Sequence, residues 1–467
     1  METSNKNITD LDATLVEEFK NQIRGEVILP QDPTYDETRK VYNGMIDRHP
    51  GIIAKCVDVT DVITAVNFGR NNNLLVSVRG GGHNAGGLGI CDNGLVIDLS
   101  CIRYTHVDTK SKTIRAGGGC QWGDVDHAGH AYGLTVPAGI ISTTGVGGLT
   151  LGGGLGYLTP KYGLTIDNLL SADMVLADGS TCTANADENQ DLFWAIRGGG
   201  GNFGIVTSFL FKANPVHTIF GGPTFWSVDK TEEVLKWYRD FILKADPELY
   251  GFFALLTVPG DPFPEALHGK KMCGVIWSYT GPQEKAEEVF KPILEMQPVF
   301  AGVGPMPFPV LNSMFDVFYP SGLQWYWRAD FIDEIPDEAV AHHAAFGEAL
   351  PTPHSTMHLY PIFGKAHNVG DTDTPWAYRK ANWSQVIVGV DPDPANNEKI
   401  TKWTKDYYDA IHPYSSGGAY INFMMDEGQD RVKASYKHNY DRLVQIKRKY
   451  DPENFFRVNQ NIDPNRG

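Results

Sequence analysis

The stretch at 76–89 reads VSVRGGGHNAGGLG, a short strand-like run that opens into Arg79, three consecutive glycines and His83. Consecutive glycines let bare backbone N–H groups approach a ligand closely, and three of them after a strand suit a diphosphate. His83 stands at the end of that loop, where the chain is already held against whatever it binds. An imidazole in that place can stack, titrate or serve as a point of covalent attachment, and the loop alone does not choose among them.

Two further glycine stretches extend the pattern. Residues 139–156 read GIISTTGVGGLTLGGGLG, with Ser142, Thr143 and Thr144 between the glycines. So much glycine opposes an ordinary helix or strand. Dense amides and hydroxyls suit a large polar ligand with a flat part, and tight structural turns are the plainer reading. The third stretch is Arg197 followed by four glycines, Asn202, Phe203 and Gly204. Residues 80–85 and 199–204 both fit the spacing of the dinucleotide fingerprint, but that motif needs a helix straight after it, whose N-terminus meets the pyrophosphate. More glycine follows the first and the β-branched run IVTSF follows the second, so a Rossmann NAD domain is rejected. Three glycine loops without a Walker lysine point to one extended cofactor, and FAD is the natural candidate. The expected contacts are Arg79, Gly80, Gly81, Gly82, Asn84 and Gly87 from the first loop. Thr143, Thr144, Gly147, Gly148, Gly153 and Gly154 follow from the second, and Gly204 and Val206 from the third.

Other groupings of reactive residues are weaker. His127 and His130 lie three apart on a helix, but no third metal ligand accompanies them, and His342-His343 is the same case. No metal site is expected. Asp391 and Asp393 sit among prolines and read as turn or capping residues. The six cysteines are dispersed with no C-x-x-C pair, which fits scattered reduced thiols.

The elements that must position these residues alternate through the first half. Helices are expected at 11–24, from Thr60 to about Asn71, from Trp122 to Tyr132 and at Asp191–Ile196. Strands are expected at 74–78, 95–99, 113–116, 174–177 and 205–211. Past Asn214-Pro215 the glycine clusters thin and aromatic-rich strands appear at 252–256, 274–279, 324–331, 358–363 and 384–390. Amphipathic helices at 230–245, 283–295, 337–349 and 395–411 alternate with them, as in an open sheet covered by helices on one side. One helix from Arg431 to Tyr450 is expected near the end.

At 467 residues two domains of ordinary size are expected. The formal charge of −16 argues against nucleic acid or an anionic membrane as partner. The polar N-terminus METSNKNITDLDATLVEEF has no apolar signal core and no apolar run approaches membrane-spanning length, so a cytoplasmic protein is expected.

Longer motifs in fixed order carry a resemblance. R-G-G-G-H at 79–83, W-G-D-V at 122–125, P-A-G at 137–139, the run TTGVGGLTLGGGLG at 143–156 and K-Y-G-L-T-I-D-N-L at 161–169 belong to it. So do DLFWAIRGGGGNFG at 191–204, Y-I-N-F at 420–423 and the tail YDPENFFRVNQNI at 450–462. From about residue 40 onward the chain resembles the berberine bridge enzyme-like family, flavoproteins of the vanillyl-alcohol oxidase (PCMH-type) superfamily. The resemblance implies an α+β fold. A PCMH-type FAD-binding domain of two α+β subdomains would span residues 1–215, a substrate domain with an antiparallel sheet backed by helices 216–416, and residues 417–467 would return to the FAD domain. It further implies that His83 is bonded to the flavin 8α-methyl. Ile141 stands where many members carry a second attaching cysteine, so a single tether is expected, similar to the branch that includes 6-hydroxynicotine oxidase.

The implied activity is hydride transfer from a CH–OH substrate, a carbohydrate or secondary alcohol, to flavin N5, with reoxidation by O2 to hydrogen peroxide. Oxidation of a C–N bond in an alkaloid-like amine is the enzymatic alternative. Thr144 lies where the family controls oxygen access, so a dehydrogenase with another acceptor is also open, as is a flavin-retaining binding protein without catalysis. The resemblance puts Tyr420 at the flavin face as the candidate base, provided that its pKa is lowered. Gln385 would orient the substrate hydroxyl, and Asn422 and Asn459 would hydrogen-bond the flavin. Trp325, Tyr326, Trp327, Arg328 and Trp383 are read as the substrate-facing surface.

Overall fold

The computed structural model describes residues 5–466, so Met1–Ser4 and Gly467 of the expected end segments lie outside the described residues. Strand Ile52–Lys55 leads into helix Val59–Asn71, which returns the chain to strand Val76–Arg79. Both strands pair parallel with Leu95–Asp98 between them, and Glu26–Ile28 adds an antiparallel edge. The helix begins one residue before the expected Thr60, because the Asp58 carboxylate caps it by accepting the N–H groups of Thr60 and Asp61.

The second sheet is antiparallel, in the order 105–108, 113–117, 205–212, 169–175 and 181–185. Beside it lies an element that the composition argued against, helix Val146–Gly152. Four of its seven residues are the glycines and threonine that disfavour helix. Val146, Leu149 and Thr150 are nevertheless buried, and the Val146 N–H donates to Cys120 O. Tertiary burial overrides local propensity here.

The expected antiparallel sheet backed by helices is present. Its strands run 300–301, 218–227, 271–279, 249–257, 356–361, 383–391 and 324–332, all paired antiparallel, with 304–307 alongside 218–227. Helices Thr231–Ile242, Ala286–Glu295, Asp337–Glu348 and Asn397–Ile411 cover one face. Tyr238 of the first helix packs on Phe253, Trp277 and Trp383 of that face, and Phe290 of the second on Phe220 and Trp277.

The end of the chain differs from the single helix expected at 431–450. Helices Gln429–Tyr436 and Tyr440–Tyr450 are separated by Lys437, whose φ of 48° stops the first. Lys447 of the second is fully buried and donates to Asp451, to Asn202 O and to Phe456 O. Its ammonium thus joins the third glycine stretch to the C-terminal tail. Among the described residues no helix is long and apolar enough to cross a membrane.

Candidate active site

The uncovered face of the large sheet, the three glycine stretches and the C-terminal segment enclose a cavity of about 370 Å³. Arg79, Gly80, Gly81, Gly82, His83 and Asn84 line it from the first stretch. Ile141, Thr144, Gly147 and Gly148 line it from the second, and Gly204 and Val206 from the third. Tyr420, Asn422 and Asn459 complete that side. The two stretches that meet first do so at a glycine–glycine contact. A Cβ built on Gly81 would lie 2.5 Å from both N and Cα of Gly145. Gly81→Ala is therefore expected to force the two loops apart and to lower the FAD content of the purified protein severalfold, measured as flavin released after proteolysis. An unchanged content would refute the contact's importance.

Several expected contacts have other duties. Gly87 closes a turn by donating to Asn84 O, and any Cβ there would strike Ile46. Gly153 packs against Trp376, and Gly154 donates its N–H to the Tyr420 hydroxyl at 2.9 Å; neither lines the cavity. Thr143 lies behind the lining, where its backbone faces the His83 ring. The Arg79 guanidinium is bound to Asp98 at 2.7 Å and to Thr38 O, so it is not a free phosphate clamp. Among the described residues no other Lys or Arg and no Asp or Glu lines the cavity. A diphosphate there must rely on backbone N–H groups, which is what bare glycine loops provide.

His83 stacks on Tyr42, with ring centroids 3.9 Å apart and planes 17° from parallel. Burial lowers its pKa to about 4, against the Thr143 backbone, which favours the charged form. At neutral pH the ring is uncharged and keeps a nitrogen lone pair. Tyr42 was missed from the sequence, since nothing in its surroundings (VYNG) marks it. It donates to Tyr319 O at 2.7 Å and also packs on Trp325, so it ties the His83 loop to the opposite wall.

Tyr420 is buried, and its oxygen accepts hydrogen bonds from Gly154 N and from Asn422 Nδ2 at 2.7 Å. Burial nonetheless pushes its pKa up to about 12, against the pull of those two donors. The lowered value that a phenolate base needs is not what this environment gives. Asn459 donates to Gly201 O and Phe456 O, while its Oδ1 is buried without a partner among the described residues. Gly148 and Gly201 turn open backbone to the cavity, where a Cβ would meet nothing within 4 Å. An orphaned acceptor and bare peptide edges fit FAD, which offers hydroxyl and ring N–H donors and a flat surface.

The sheet wall corrects the substrate residues. Trp325 and Trp327 face the cavity, but Tyr326 and Arg328 lie on the helix side, where Lys405 sits over Tyr326 and Arg328 stands over Tyr408. Trp383 packs on Tyr238, and Gln385 is buried on the same face with both amide atoms unpartnered among the described residues. Side chains alternate along a strand. Val386 and Val388 face the cavity, so Trp383 and Gln385 cannot. In their place the neighbouring strand presents Thr356, His358 and Tyr360. His358 Nδ1 and the Tyr360 hydroxyl are 2.7 Å apart, and the H-x-Y spacing was the available signal for two polar groups on one face.

The signature described as "FAD binding domain" matches residues 50–185, and "Berberine and berberine like" matches 419–463. An FAD-linked oxidoreductase of Dictyostelium discoideum is 31% identical over 96% of this chain and 97% of its own length. (R)-6-hydroxynicotine oxidase of Paenarthrobacter nicotinovorans is 29% identical over 95% of this chain and 97% of its own. The crystal structure of 6-hydroxy-D-nicotine oxidase from Arthrobacter nicotinovorans superposes with a TM-score of 0.83 at 28% identity, over 95% of this chain and 98% of that one. With the glycine-walled cavity, the histidine at its edge and the antiparallel sheet facing it, the chain belongs to the berberine bridge enzyme-like family of FAD-linked oxidoreductases.

Proposed function

We propose that this FAD-linked oxidoreductase oxidises a planar, largely apolar molecule at a carbon bearing O–H or N–H, and carries its FAD covalently on His83 alone. The observation that supports the substrate class is the wall opposite the glycine loops. Phe252, Leu256, Ile276, Trp325, Trp327 and Val386 form most of it, and no Asp, Glu, Lys or Arg of the large sheet reaches the cavity. Sugar rings present many hydroxyls, each needing a partner when buried. Aromatic and heterocyclic rings need flat apolar contact and few polar atoms. The name of the nicotine-oxidising relative supports the same class.

Single attachment is supported by the lining itself. It includes Ile141 and no cysteine, and Cys120 is buried elsewhere with its thiol directed at Tyr104 O. Bound FAD supplies a two-electron acceptor that can pass electrons on to oxygen. The chain's own contribution is to hold that group by backbone N–H groups, to exclude water with aromatic side chains and to accept the proton that leaves with the hydride.

Anaerobic mixing of the holoenzyme with 1-phenylethylamine, 1-phenylethanol and cellobiose tests the reading through bleaching of the flavin colour. The two aromatic compounds are expected to bleach it and cellobiose to leave it yellow, with peroxide formed on re-aeration. Bleaching by cellobiose alone would overturn the substrate class.

A further inference from the structure

Removing hydride from a carbon bearing O–H or N–H leaves a proton to be taken up inside an apolar cavity. Tyr420 is poorly placed for this. Its oxygen is held by two N–H donors, and no proton acceptor stands behind it among the described residues. Tyr360 differs in that respect. It lines the same cavity, on the wall across from the glycine loops, and among the described residues its hydroxyl has one hydrogen-bond partner, Nδ1 of His358. Phe252 packs against both rings, at 5.0 Å from His358 and 5.1 Å from Tyr360, and fixes their mutual position. Phe423 lies between the rings of Tyr360 and Tyr420. Nδ1 is the acceptor in reach of the phenol proton, and in the Nε2–H tautomer of His358 the bond runs from Tyr360 to His358.

We propose that Tyr360 is the catalytic residue that accepts the substrate's O–H or N–H proton, and that His358 is the relay behind it. The step rests on the function proposed above and balances as follows. The substrate O–H or N–H bond breaks as its proton reaches Oη of Tyr360, while the phenol's own proton moves to Nδ1 of His358. The electron pair of the substrate C–H bond leaves with its hydrogen as hydride to bound FAD, and a C=O or C=N bond forms. No free phenolate is required, which removes the need for the lowered pKa that Tyr420 lacks. Burial holds the His358 imidazole to a pKa of about 3. Burial also raises the Tyr360 phenol well above its ordinary range, so both groups are neutral at rest.

The experiment compares phenol with its methyl ether, anisole, by calorimetry on the oxidised holoenzyme. One buried hydrogen bond makes phenol bind about tenfold more tightly than anisole in the wild type. Tyr360→Phe is expected to abolish that preference. His358→Asn keeps an acceptor for the Tyr360 hydroxyl, so it retains the preference. Lacking a proton acceptor, it reduces its flavin with 1-phenylethanol about a hundredfold more slowly than wild type. Tyr420→Phe is expected to keep the preference, since its hydroxyl is held by Gly154 N and Asn422. Equal binding of phenol and anisole by the wild type, or a preference that survives Tyr360→Phe, overturns the assignment of Tyr360. A near-normal rate in His358→Asn overturns the relay. If neither ring compound binds, the planar-substrate reading falls and takes this one with it. If the ligands discriminate as expected but 1-phenylethanol does not bleach the wild type, the contact stands and the substrate choice fails.

Discussion

Acid precipitation is expected to leave the flavin colour in the pellet of the wild-type protein and to release all of it from His83→Ala. The argument starts from protonation. An imidazolium has no lone pair, and an ordinary histidine is partly charged near neutrality. Burial lowers the His83 pKa to about 4, so its ring is neutral in that range. The nitrogen is thus available to bond a carbon of FAD, and the absence of a cysteine from the lining leaves it without a competitor of that kind. Peptide mass mapping is expected to find the adduct on the peptide that holds His83 and on no other. Flavin freed from the acid-treated wild type would refute covalent attachment, and an adduct on a cysteine would refute the single tether.

The second large effect concerns stability. Asp451→Ala is expected to destabilise the fold by about 3–5 kcal/mol, because it strands the Lys447 ammonium without its counter-ion. Both groups are fully buried and 2.6 Å apart, and the Asp451 carboxylate also accepts the N–H groups of Phe455 and Phe456. The variant therefore loses a charge pair and leaves two buried donors unsatisfied. Chemical unfolding of the holoenzyme and of the variant gives the difference. Adding Lys447→Met to Asp451→Ala is expected to recover part of the loss, since the lone charge is gone while the two orphaned N–H groups remain. A double variant as unstable as the sum of the two single ones would refute the pairing as the cause.

Glycine loops were legible from sequence because glycine's meaning is local: it permits close backbone approach wherever the fold uses it. His83, Asn459 and the backbone of Gly148 accordingly reach the cavity that the loops predicted. The phase of the strand at 383–391 was not legible. WSQVIVGVD is buried along its whole length, between helices on one side and the cavity on the other, so hydrophobicity does not alternate along it. A shift of one residue turns every side chain to the other face, and that shift moved Trp383 and Gln385 out of the site. Strand Thr218–Ser227 was also missed, because TIFGGPTFWS carries two glycines and a proline that read as a turn. The break at Lys437 was hidden for the opposite reason. Lysine is a good helix former, and nothing local signals that it takes a left-handed conformation there.

The tail has a consequence in time as well as in space. Tyr420, Asn422, Asn459 and Gln460 all wall the cavity whose first loop is at 79–84, and Lys447 fixes that tail against Asn202. During synthesis the first loop leaves the ribosome more than three hundred residues before the wall that completes its pocket. A nascent chain that has not yet reached residue 420 can pair its earlier strands but has no Tyr420, Asn422, Asn459 or Gln460 to wall that cavity.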